Sequence, residues 1–178
     1  MQNESPWEQG LVQVYTGNGK GKTTAALGLA LRAAGAGLKV FIGQFVKGMH
    51  YSEHHALARF KDQIVVQQFG TGCFIQGKPK EEDIRAAQNG LQDMKKILAS
   101  GDYQVVILDE ANIATHFGLF SAEALVEAVD AKHPQVEVII TGRAADSAVL
   151  EKADLVTEMK EVKHYFSRGV QARKGIEM

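Results

Sequence analysis

Short runs of apolar and β-branched residues alternate along this chain with longer stretches in which apolar positions recur every three or four residues. Leu11 to Tyr15, Lys39 to Phe45, Ile64 to Phe69, Tyr103 to Leu108, Val136 to Ile140 and Leu155 to Met159 read as strands. The Tyr103 to Leu108 run is almost continuously apolar, the pattern of a strand buried on both faces of a parallel sheet. Ala25 to Ala34 reads as a first helix, stopped at Gly35 to Gly37. A second helix opens at Pro79, with Glu81, Glu82 and Asp83 complementing its dipole and Ile84, Ala87, Leu91, Met94 and Leu98 forming its buried stripe. Ser121 caps a third helix over Ala122 to Ala131, and Asp146 to Lys152 suits a short fourth. Strands alternating with helices predict an α/β fold, a mostly parallel sheet with helices on both faces.

Between the first strand and the first helix stands Thr16-Gly-Asn-Gly-Lys-Gly-Lys-Thr-Thr24. A glycine-rich turn from strand to helix lets consecutive N–H groups face an anion, and the helix N-terminus adds partial positive charge there. Lys22 supplies a mobile cation, and the Thr23 hydroxyl can hold Mg²⁺. The motif makes the expected architecture a three-layer, P-loop NTPase-like one. One position departs from Gly-x-x-x-x-Gly-Lys-[Ser/Thr]: five residues before Gly21 stands Thr16, with Gly17 one place late. Either Thr16 takes the glycine's place or the loop begins differently.

The Tyr103 to Leu108 strand ends in Asp109-Glu110. In such sheets an acidic residue at the end of a central strand lies beside the phosphate loop and orients a divalent cation or its water. Spacing does not decide which of the two carboxylates touches the ion. Arg143 follows another strand end on the same edge and is a candidate ligand for nucleotide or phosphate. His50, His54 and His55 break the α/β rhythm, but no acidic or cysteine partner stands at metal-ligand spacing, so they read as a solvated or pocket-lining helix. Cys73 has no local base and reads as an inert small residue.

The chain has 178 residues and no repeat or linker, which predicts a single domain over residues 11–178 after a flexible arm over 1–10, with Trp7 placed to dock on the body. A net charge of −1 argues against a polyanion-binding surface, so no nucleic-acid partner is expected. No run approaches the roughly 20 apolar residues of a membrane span, and the polar first ten residues do not read as a signal peptide. A single cysteine excludes an internal disulfide and fits a reducing, cytoplasmic location. The segment from Lys160 to Met178 lacks periodicity and reads as an arm that covers something.

Five separated segments, in order, closely resemble the ATP:corrinoid adenosyltransferases: Thr16 to Ala26, Gln44-Phe-Val-Lys-Gly48, Val-Ile-Leu-Asp-Glu110, Ile-Ile-Thr-Gly-Arg143, and Val162-Lys-His-Tyr-Phe with Gly169 to Glu177. The resemblance implies transfer of the 5′-deoxyadenosyl group of ATP to the Co(I) of a reduced corrinoid, cob(I)alamin or cob(I)yrinic acid a,c-diamide, with release of triphosphate. It implies Asn18, Gly19, Lys20, Gly21, Lys22, Thr23 and Thr24 as triphosphate ligands, Arg143 as a nucleotide contact, and Lys22 and Glu110 as the catalytic pair. Thr23 and Glu110, with Asp109 beside them, are the implied ligands of Mg²⁺ or Mn²⁺. A homodimer, a transient reducing flavoprotein partner and an ATP reversed relative to other P-loop proteins are also implied. Family members carry an aromatic pair in Thr-Gly-Phe-Thr-Trp; here Thr71-Gly72 precedes Cys73-Phe74-Ile75, which makes Phe74 and Ile75 the candidate corrinoid contacts. A conventional kinase or ATPase acting at the γ-phosphate, and a corrinoid-delivery protein without turnover, are the competing readings.

Overall fold

The computed structural model describes residues 6–72 and 77–177. Its strands are β1 (Val12–Thr16), β2 (Val40–Gln44), β3 (Ile64–Gln68), β4 (Val105–Asp109), β5 (Glu137–Thr141) and β6 (Leu155–Glu158). They form one sheet in the order β3-β2-β4-β5-β1-β6, and every pairing is parallel. The helices are α1 (Lys22–Gly35), α2 (Ser52–Leu57), α3 (Glu81–Ser100), α4 (Ala111–His116), α5 (Ala122–Asp130) and α6 (Ser147–Lys152).

The two-residue period of a strand sorts the core into two layers. From β4, Val106 and Leu108 face one cluster, joined by Leu91, Met94 and Leu98 of α3, Leu125 and Val129 of α5 and Val149 of α6. Val105 and Ile107 face the other, against Ala26, Ala30, Ala33 and Ala34 of α1 and Leu57 of α2. This double burial is why the strand reads as an unbroken apolar run. The alanines of α1 bring its backbone close to the sheet, which seats the helix start at the sheet's C-terminal edge. Trp7 joins the α1 side and donates its indole N–H to the Gln135 carbonyl at 2.8 Å.

Most expected elements stand within a few residues of their predicted bounds. The first helix begins at Lys22 rather than Ala25, directly behind Gly21, which lies at φ 116°. α4 has no counterpart among the expected elements: it is six residues long and begins immediately after Glu110. β6 occurs as expected, but at the sheet's edge, with Leu155 and Val156 exposed.

Gly90 lies inside α3 where helix propensity alone would favour alanine by about 1 kcal/mol. A Cβ there would stand 2.4 Å from Cγ of Phe69, whose ring also packs on Phe45. Overpacking costs about 1–3 kcal/mol. Gly90→Ala is therefore expected to lower the urea unfolding midpoint; a raised midpoint would show that propensity outweighs the clash.

Candidate active site

Parallel strands bring their C-terminal ends to one edge, and there the chain makes its least comfortable turns. Val46 after β2, Glu110 after β4 and Ala144 after β5 all have positive φ, at 62°, 59° and 52°. A side chain in that region costs about 1–3 kcal/mol, and the cost falls most heavily on β-branched Val46. Each turn redirects the chain beside the loop that follows β1.

That loop begins at Gly17. Thr16 ends β1, and its hydroxyl oxygen accepts the Ala145 N–H at 3.3 Å. Gly17 has φ 92°, and a Cβ there would lie 2.6 Å from the Met159 carbonyl oxygen. The same carbonyl accepts the Gly19 N–H at 2.6 Å and would collide with a Cβ on Gly19 as well. Lys22 Nζ donates to the carbonyls of Gly17 and Gly19, both at 2.7 Å, so its ammonium is held within the loop. Unlike α5 and α6, α1 begins with no side-chain cap, and unlike α3 and α5 it has no acidic residue in its first turn. Its N-terminal N–H groups and dipole are left for an external anion.

Asp109 is 1% exposed, and both of its oxygens are occupied. Oδ1 accepts the hydroxyls of Thr23 at 2.8 Å and Thr141 at 2.7 Å. Oδ2 accepts Lys47 Nζ at 2.7 Å and Gln44 Nε2 at 3.1 Å. Burial alone would raise this carboxyl, but Lys47 and the two threonine hydroxyls outweigh it and hold it below its ordinary value. Burial likewise works against the Lys47 ammonium, and the Asp109 charge and hydrogen bond overcome it.

Glu110 faces the opposite situation. Its N–H donates to Thr141 Oγ1 at 3.0 Å, while its carboxylate accepts no hydrogen bond among the described residues. Burial, then the Asp109 charge, raise its affinity for a proton, against Lys47, Lys22 and Arg143. Burial and the Arg143 charge lower Lys22, against Glu110. Arg143 itself is exposed on the loop after β5. The sequence-predicted residues Lys22, Thr23, Asp109, Glu110 and Arg143 thus converge, with Asn18, Lys20 and Thr24 exposed around the loop. Cys73, Phe74 and Ile75 lie outside the described residues.

Sequence reasoning missed Lys47, Gln44 and Thr141 as parts of the site. Gln44 and Lys47 stood in the Gln44 to Gly48 segment quoted for its resemblance, and Thr141 in Ile-Ile-Thr-Gly-Arg143, so the signal was present without a role. His54, from the helix expected to be solvated or pocket-lining, instead reaches into the site's hydrogen bonds: its Nε2 lies 2.7 Å from Gln44 Oε1. Next to the loop after β3, a cleft of about 520 Å³ is lined by Val46, Phe69, Thr71, Lys78, Asp83 and Leu119. No helix among the described residues is long and apolar enough to cross a membrane.

The C-terminal segment returns to the phosphate loop. Besides the Met159 carbonyl on Gly19, Lys20 Nζ donates to the Ile176 carbonyl at 3.0 Å. A local clasp holds this segment: Glu177 accepts the Tyr165 hydroxyl and the Arg173 guanidinium, and Arg173 lies over the Tyr165 ring.

A parallel sheet, a glycine loop opening an uncapped helix and an aspartate bonded to the loop's threonine define a P-loop nucleotide-binding protein. The match is narrower than that class. Residues 8–178 fit the family model described as ATP:corrinoid adenosyltransferase BtuR/CobO/CobP, and the chain belongs to that family. It is 39% identical over 170 residues to a protein named corrinoid adenosyltransferase from Escherichia coli strain K12, covering 96% of this chain and 86% of that one. A protein of the same name from Pseudomonas aeruginosa is 36% identical over 171 residues, covering 96% and 84%. One from Salmonella typhimurium, named corrinoid adenosyltransferase CobA, is 37% identical over 170 residues, covering 96% and 86%.

The clasp carries a pH dependence. Hydrogen bonds from Arg173, then Tyr165, push the Glu177 carboxyl down to about 2. A depressed carboxyl contributes stability that is complete above the ordinary carboxylate range and is lost as pH falls through the lowered value. Glu177→Gln mimics the protonated side chain at neutral pH. Hydrogen exchange of residues 165–177 is expected to quicken in that variant; exchange as slow as in the native chain would show that the clasp does not hold the segment.

Proposed function

We propose that the loop and α1 N-terminus grip the triphosphate of ATP as a leaving group while the nucleotide's 5′ carbon is presented to a reduced corrinoid. The chain is an ATP:corrinoid adenosyltransferase by family, and the kinase reading is not favoured. In the reaction the Co(I) electron pair attacks C5′ and becomes the Co–C bond, while the C5′–O bond breaks and triphosphate departs with the pair of that broken bond. Cobalt is itself a strong nucleophile, so no activated side chain is required. The protein's contributions are orientation and neutralisation of charge on the leaving oxygens.

The observation that carries this reading is the uncapped start of α1, with the Lys22 ammonium held in the loop before it. Lys22, with two hydrogens on loop carbonyls, has a third for a phosphate oxygen. Arg143 adds a second cation at the same mouth. The donor set also fits a divalent cation: the Glu110 carboxylate has no hydrogen-bond partner among the described residues, and the Thr23 hydroxyl, which donates to Asp109 and accepts a long 3.4 Å bond from Lys47 Nζ, keeps one oxygen lone pair free. Glu110 and Thr23 would hold Mg²⁺ or Mn²⁺, with Asp109 behind them, and the ion would neutralise triphosphate charge. Asp109, saturated by four hydrogen bonds, suits an orienting role.

The reversed nucleotide pose, Phe74 and Ile75 as corrinoid contacts, a homodimer, a reducing flavoprotein partner and a cytoplasmic location rest on the family resemblance, and we place the corrinoid at the cleft beside Phe69 and Thr71. The apolar wall of Val46, Phe69 and Leu119 supports the corrinoid placement.

The test is product analysis with Mg·ATP and chemically reduced cobalamin. Light-sensitive alkylcobalamin and inorganic triphosphate are expected; ADP and phosphate without a Co–C bond would establish the kinase reading instead. Lys22→Ala should lower kcat by about 100-fold or more, the scale seen when one preorganised charge-stabilising donor is removed. A rate equal to the native one would refute the role given to Lys22.

A further inference from the structure

Behind Asp109 runs a chain of hydrogen bonds that no step above uses. Gln44 is 1% exposed at the end of β2. Its Nε2 donates to Asp109 Oδ2, and its Oε1 faces His54 Nε2 at 2.7 Å and Gln68 Nε2 at 3.3 Å. His54 Nδ1 in turn accepts the Tyr51 N–H at 2.8 Å, the reach-back of a helix's third residue to its N-cap.

The two ends of this chain dictate the same arrangement of protons. An ionised carboxylate only accepts, so the Gln44 atom on Asp109 must be the amide nitrogen. Gln44 Oε1 then points at His54, whose Nε2 must carry a hydrogen. At the other end a backbone N–H only donates, so His54 Nδ1 must carry none. Both demands are met by one species, the neutral imidazole protonated on Nε2. Burial, the largest influence on His54, favours that neutral form. Without the Nε2–H, Gln44 Oε1 would keep only the longer 3.3 Å bond from Gln68 Nε2, and the amide would be held less firmly against Asp109.

We propose that His54 is a positioning residue for nucleotide binding, acting through Gln44 to fix the Asp109 carboxylate that accepts the Thr23 hydroxyl and so orients the Thr23 oxygen at the nucleotide site. The proposal rests on the reading that Thr23 offers its oxygen to the divalent cation of bound Mg·ATP. With Thr23 so held, its oxygen keeps one lone pair beyond the 3.4 Å bond from Lys47 Nζ; with the His54 donor lost, Gln44 is anchored only by the longer Gln68 bond and its hold on Asp109 loosens.

Two isosteres separate this role from simple capping of α2. The side-chain oxygen of His54→Asn reproduces Nδ1, keeping the Tyr51 bond, but has no group at the Nε2 position. The side-chain amide of His54→Gln reaches that position and can donate to Gln44. Mg·ATP binding to the corrinoid-free protein is measured by calorimetry, with kcat and KM for ATP alongside. His54→Asn is expected to weaken binding about tenfold, the lower end of the cost of removing an outer-sphere partner. KM should rise, kcat at saturating ATP should hold, and the melting temperature should not change. His54→Gln should recover most of the affinity, and the exposed neighbour His55→Asn should behave as the native chain. Ring ¹⁵N shifts of the native protein should show Nε2 protonated and Nδ1 bare. Equal affinities for the Asn and Gln variants, or an Nδ1–H ring, would overturn the proposal. Native protein that fails to bind Mg·ATP would instead overturn the nucleotide reading on which it rests.

Discussion

A carboxylate removed from water must recover its lost hydration from protein donors, and an aspartate can take about four hydrogen bonds. Asp109 obtains all four from four different segments: Thr23 from α1, Gln44 from the end of β2, Lys47 from the turn beyond it, and Thr141 from the end of β5. β4 lies between β2 and β5 in the sheet, so its last residue can meet a neighbour on either side. Thr23 reaches it from beyond β5, because the alanine face of α1 lets the helix lie close over the sheet. Loss of any one donor leaves the same buried charge with fewer partners, so the arrangement ties the position of the phosphate loop to that of the β2 end.

The strained turns follow from the same demand. Lys47 can return to Asp109 only if the chain bends sharply after Phe45, and Val46 takes φ 62° to do so. Glu110 at φ 59° turns its side chain away from β4 and starts α4, so two adjacent carboxylates acquire opposite environments. Asp109 is saturated and held charged; Glu110 is half-buried without a protein donor among the described residues and is relieved by Lys47, Lys22 and Arg143 only at a distance. A pair whose surroundings push the two proton affinities apart is suited to different tasks, one to orienting and one to binding.

Much of this was legible in the sequence because it follows from short-range rules. The strands showed as apolar runs, and α3 and α5 showed as stripes with caps. The loop showed as glycines beside Lys22 and Thr23. What was not legible depends on positive φ at non-glycine residues and on contacts between distant segments. α4 hides because it begins at Glu110 in a left-handed conformation and spans only six residues, too few for a period. Lys47 stood in the Gln44 to Gly48 segment without a role of its own; only the bend at Val46 turns it inward. His54 showed as one of three clustered histidines, and nothing local distinguishes it from His55.

The phosphate loop's departure from its motif has a cause of the same long-range kind. The usual first glycine is absent because Thr16 still belongs to β1, where its carbonyl accepts the Met159 N–H and its hydroxyl accepts from Ala145. The need for glycine passes to Gly17 and Gly19, which lie against the Met159 carbonyl at the end of β6. These two glycines are fixed by the backbone that covers them as much as by any ligand in front. One N–H that an anion could have used, that of Gly19, is already bonded to Met159. The loop's shape is therefore set from behind by the C-terminal segment, and its free donors are concentrated at Lys22 and the first turn of α1, on the side facing Glu110 and Arg143.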